Sequence, residues 1–86
     1  MDITPEACRA ARALLRWTTL DLANQSGVAT TTINRLENGE PFREGTADKL
    51  TFAFSMAGVE VFGQPKPGAR ISDPERFAQS VRAKPA

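Results

Sequence analysis

The chain predicts an all-α domain: a bundle of four to five helices, closed by a short C-terminal β-hairpin and a candidate final helix. Three observations predict it. Apolar residues recur at helical spacing in successive stretches up to residue 58. Those stretches are bounded by residues that start and stop helices. Only two short runs near the C-terminus, Val59-Glu60-Val61-Phe62 and Ala69-Arg70-Ile71, read as strands.

The first helix is expected to start at Thr4, where Thr4-Pro5-Glu6 supplies an N-cap, a proline at the first helical position and an early acid. Cys8, Ala11 and Leu15 follow at i, i+3 and i+7, with Ala7 and Leu14 beside them. The second helix should follow Thr18, with Asp21 completing a capping box, and should stop at Gly27. The third covers roughly Thr30 to Glu37 and ends at Asn38-Gly39, before a polar loop from Glu40 to Gly45. Thr46 is expected to cap the fourth, whose apolar stripe is Leu50, Ala53, Phe54 and Ala57, with Gly58 as its stop. The two strand-like runs flank a Pro/Gly-rich loop and should pair across it. Ser72-Asp73-Pro74-Glu75 then signals one more short helix carrying Phe77 and Val81.

Composition narrows the function. The 86 residues carry 11 Lys+Arg against 10 Asp+Glu, a formal charge of +1, which argues against a polybasic membrane or RNA binder. The apolar runs are too short to span a bilayer, and the N-terminus shows no basic flank leading into an apolar stretch, so no membrane partner and a cytoplasmic location are expected. One cysteine and no histidine leave no internal disulfide and no triad that uses histidine, and they argue against zinc, haem or iron–sulfur sites. No pair of carboxylates is tied to a nucleophile or metal, so neither an enzyme nor a cofactor is expected. Charge is also uneven. Residues 1–64 sum to −2 and residues 65–86 to +3, with Pro65, Pro67 and Gly68 at the boundary. The sequence is therefore divided into a domain at 1–64 and a basic hairpin and tail at 65–86, a candidate dimerisation element.

The informative segment is Thr19 to Asn38, TLDLANQSGVATTTINRLEN. Two short helices meet at a tight turn. Ala23 is small where the helices must cross, and Gly27 supplies the positive φ of the turn. Ile33 and Leu36 give the third helix a narrow buried edge and leave Thr30, Thr31, Thr32, Asn34 and Arg35 outward. A helix held from behind in this way is built to enter a major groove.

Here the sequence resembles the lambda-repressor-like, Xre/Cro-type helix-turn-helix DNA-binding proteins. The resemblance lies in Ala11-Arg12 to Leu15, Trp17 to Ala23, Gly27-Val28, Thr32-Ile33, Arg35 to Gly39, Leu50 and Ala57-Gly58-Val59, and covers roughly residues 5–62. It implies a compact bundle of four or five helices that binds two related half-sites as a dimer. The chain departs from the family at Ala29, where Ser or Thr usually caps the recognition helix, and at Thr19, where Gln is frequent.

Roles follow residue by residue. Arg35 can pair bidentately with guanine, Thr30 and Thr31 can meet thymine methyls or polar base edges, and Asn34 can read adenine. Thr19, Thr32, Asn38 and Arg43 are phosphate candidates. The resemblance implies a structural ion pair between Arg12 and Glu37. Trp17 and Cys8 are assigned to packing. Phe52, Met56, Val59 and Val61 form an expected dimer interface, and Arg70, Arg76, Arg82 and Lys84 could touch flanking phosphates. The resulting expectation is a homodimeric, sequence-specific regulator of transcription, most simply a repressor, on a palindromic double-stranded DNA operator, with no small-molecule effector. The alternative is a protein-interaction module, such as an antitoxin or anti-activator, on the same scaffold.

Overall fold

The computed structural model describes residues 3–82 and contains α1 (Pro5–Leu15), α2 (Thr19–Ser26), α3 (Thr30–Glu37), α4 (Glu44–Met56), β1 (Val59–Phe62), β2 (Gly68–Ile71) and α5 (Pro74–Ser80). The all-α class is corrected: helices make up 59% of the described residues and strands 10%, a mixed α/β architecture. The hairpin is part of the core rather than an appendage. β1 and β2 pair antiparallel with Val59 opposite Ile71 and Val61 opposite Ala69, and both strands pack on α1. Alternation along β1 buries Val59 and Val61 and exposes Glu60 and Phe62. Val59 and Val61, expected at a subunit surface, are thus covered by the chain's own core.

The helix ends follow local chemistry. The Thr4 hydroxyl accepts from the Ala7 N–H at the start of α1. At α2, the Thr18 hydroxyl accepts from the Asp21 N–H while the Asp21 carboxylate accepts from the Thr18 N–H, a closed capping box. Gly27 ends α2 at φ 76°. The start of α4 differs from expectation. It begins at Glu44 with Arg43 in the N-cap position, so Thr46 lies inside the first turn, where its N–H bonds the Arg43 carbonyl. A hydroxyl cap is a preference, and the acidic Glu44 suits the positive end of the helix dipole. The boundary drawn between residues 64 and 65 falls in the loop joining the two paired strands.

The core is one cluster. Ala7, Cys8, Ala11 and Leu15 of α1 meet Leu22, Ile33, Leu36, Leu50, Phe54 and Val59, all essentially inaccessible to solvent. Trp17 stacks on Phe54 with ring centroids 6.1 Å apart, and its indole N–H donates to the Ser80 carbonyl. That bond, together with the Arg82 N–H on the Leu15 carbonyl and Phe77 against the core, ties α5 to the body. The first turn of α5 crosses over Gly58. A Cβ there would collide with the Asp73 carbonyl oxygen and lie 2.6 Å from the Phe77 nitrogen, and the residue already sits at φ 81°. Gly27 shares the left-handed backbone but faces open space. Gly58→Ala should therefore destabilise the protein by at least about 2 kcal/mol in urea unfolding, and Gly27→Ala by only about 1 kcal/mol. Equal losses would contradict this account of the α5 crossing.

Candidate nucleic-acid interface

α3 is short, and its burial is confined to Ile33 and Leu36. Thr31, Asn34 and Arg35 are exposed, while Thr30 and Thr32 are half-buried. What fixes the helix is its C-terminal end. The Arg12 guanidinium spans the Glu37 carboxylate in a bidentate pair, Nε to Oε2 at 2.8 Å and Nη2 to Oε1 at 2.7 Å. Arg12 Nη1 also donates to the Trp17 carbonyl, and Arg9 donates to the Glu37 carbonyl. The Cys8 thiol donates to Glu37 Oε2 at 3.1 Å. The sequence alone assigns Cys8 to packing, and the bond adds a polar role that arises only where α1 meets α3. Burial, then the bond to the carboxylate, push the Cys8 thiol far above its ordinary pKa. Burial alone would raise the Glu37 carboxyl, but the hydrogen bonds from Arg12 and Cys8, with the charges of Arg12 and Arg9, hold it below the usual range.

An open groove of about 860 Å³ lies between α3 and the start of α4. Its walls are Gly27, Val28, Ala29, Thr32 and Arg35 on one side, and Pro41, Phe42, Arg43, Gly45, Thr46 and Lys49 on the other. Three cations line it, and no Asp or Glu is among the described residues that do. Two helix N-termini reach the groove. The N-cap residues are Ala29 for α3 and Arg43 for α4, and neither makes a side-chain cap bond, so the positive ends of both helices lie open at an anion-attracting surface. The missing hydroxyl at position 29 costs on the order of 1 kcal/mol of capping while leaving backbone donors available to a phosphate.

The sequence-assigned residues divide. The groove brings together Thr32, Arg35 and Arg43. Thr31 and Asn34 stand on the exposed ridge of α3, with Thr30 half-buried at its start. Asn38 is the exposed C-cap of the same helix. Thr19 opens α2, outside the groove, and follows Thr18, whose N–H bonds the Asp21 carboxylate. The Thr18 N–H, and then Arg82, keep that carboxyl below its usual range. Lys49 and Phe42 are additions that the sequence reading missed. Lys49 lies in the second turn of α4 and Phe42 in the loop before it, and their approach to α3 depends on tertiary contact. The tail cations are engaged inside the chain: Arg70 with Glu60, Arg76 with Asp73 and Arg82 with Asp21. Lys84 lies outside the described residues. Phe52 and Met56 are 67% and 51% exposed on α4.

No protein-family model matches the chain, and a search of curated proteins finds no match. None of the described helices is long and apolar enough to cross a membrane.

Removing one member of the Arg12–Glu37 pair strands the other, which is only partly exposed. Arg12→Ala should cost about 3 kcal/mol in urea unfolding. Because the folded carboxyl of Glu37 titrates below its unfolded value of about 4.3, its contribution is full above that pH and drains away as the pH falls through the folded value. Acid titration of stability should thus be less steep in Glu37→Gln than in the parent. Superimposable acid limbs would contradict a stabilising ionised Glu37.

Proposed function

We propose that this chain is a sequence-specific double-stranded DNA-binding regulator of transcription that inserts α3 into the major groove. The observation that carries the reading is the pairing of an outward polar ridge, Thr31, Asn34 and Arg35, with an adjoining groove lined by Arg35, Arg43 and Lys49. Base edges are read by side chains of these types, and phosphates are held by cations and open helix N-termini. The −2 charge of residues 1–64 is no obstacle, because three of the six cations of that segment gather along the groove.

The regulator acts as a homodimer on an inverted repeat, its two recognition helices about one helical turn apart. Phe52 and Met56 support this reading, since both remain exposed after Val59 and Val61 have entered the core. The same two residues are what an interaction module of the antitoxin or anti-activator kind would use, and in that case Arg35 would be silent. Repression by occupying a promoter requires nothing more than tight binding.

Two substitutions separate reading from holding. Against a duplex recovered from a randomised pool, Arg35→Ala should lose about 1–3 kcal/mol and relax preference at one base pair. Arg43→Ala should weaken all duplexes alike and lower the salt slope by about 1. Fluorescence anisotropy across a salt series measures both. An Arg35→Ala protein that keeps its sequence preference would contradict the assignment.

A further inference from the structure

The end of α3 carries a feature that the proposed function does not use. Asn38 is the C-cap and Gly39 follows at φ 81°. The Gly39 N–H then bonds the Leu36 carbonyl at 3.0 Å, and the Glu40 N–H bonds the Arg35 carbonyl at 2.9 Å. These two bonds are the paired closure of a Schellman motif, which brings the residue two beyond the cap back over the helix's last turn. An apolar contact commonly joins those two positions. Here they are Glu40 and Arg35, and the contact is an ion pair, Arg35 Nε to Glu40 Oε1 at 3.4 Å.

The geometry points to Glu40 as a positioning and specificity-determining residue that aims Arg35, an inference that rests on the reading of α3 as the DNA-probing helix. Its backbone is anchored to the Arg35 carbonyl, so its side chain starts beside that of Arg35 and its carboxylate is within reach of the guanidinium. The carboxylate meets the guanidinium on the Nε side. The two terminal nitrogens are left as the fork that matches guanine O6 and N7. The carboxylate also works against indiscriminate binding. It offsets one cation where phosphates approach, so a duplex that offers Arg35 no acceptor pair gains less from it. Glu40 therefore lowers affinity for random DNA and raises the ratio between right and wrong sequences.

The test compares Glu40→Gln with Glu44→Gln, which removes the same charge from the neighbouring first turn of α4. Binding is measured by anisotropy to the duplex recovered from a randomised pool and to copies in which each guanine in turn is replaced by adenine. Both variants should bind the mismatched duplexes more tightly. Only Glu40→Gln should lose discrimination at the guanine read by Arg35, by about threefold, the scale of an exposed ion pair. In an Arg35→Ala background, Glu40→Gln should no longer change discrimination at all. Equal discrimination in the parent and Glu40→Gln, or an equal loss in Glu44→Gln, overturns the inference while leaving the DNA-binding reading intact. A parent protein that discriminates among no duplexes overturns both. Helical circular dichroism should be unchanged in both variants, because the bonds that close α3 are backbone bonds.

Discussion

The Arg12–Glu37 pair holds α3 in place. A helix of eight residues has little stability alone in water, and α3 buries only two side chains of its own. Its last residue is gripped by a guanidinium that also bonds the Trp17 carbonyl, while Arg9 takes the Glu37 carbonyl and Cys8 the carboxylate. α3 is thus pinned through its C-terminal end to α1, the helix on which the hairpin also packs. The restraint comes from behind and below, so the outward residues need not contribute to stability and are free to be polar. This is the physical reason that a row of threonines, an asparagine and an arginine can occupy a helix this short.

Much of the architecture was legible because it is written in local chemistry. Thr4-Pro5, the Thr18/Asp21 capping box, Gly27 and Asn38-Gly39 act within a few residues of themselves, and α1, α2 and α3 fall where those signals put them. What was not legible depends on tertiary contact. The strands were visible in the alternation of Val59 and Val61, but their inward faces could not be credited to the core without knowing that α1 lies beneath them. That is why the class is mixed α/β, and why these two valines are absent from any outer surface. The start of α4 was misplaced because a threonine was preferred as a cap over Arg43.

The candidate site was legible in part for the same reason. Residue type and helical phase suffice to put Thr31, Asn34 and Arg35 outward. The groove that Arg35 shares with Arg43 and Lys49 arises only when the loop at 40–43 turns back alongside α3. Electrostatics organises that surface more than net charge does. Among the described cations of the C-terminal stretch, Arg70, Arg76 and Arg82 are paired with Glu60, Asp73 and Asp21. Three cations, Arg35, Arg43 and Lys49, line the groove, and Arg35 is paired with Glu40.

Methylation interference on a duplex recovered from a randomised pool addresses the central claim most directly. Dimethyl sulfate marks guanine N7 in the major groove and adenine N3 in the minor groove, so it distinguishes the two approaches. Methylated guanines in two symmetric half-sites should abolish binding, and methylated adenines between them should not. Interference confined to minor-groove adenines, or none at any position, would contradict a helix that reads base edges through Arg35.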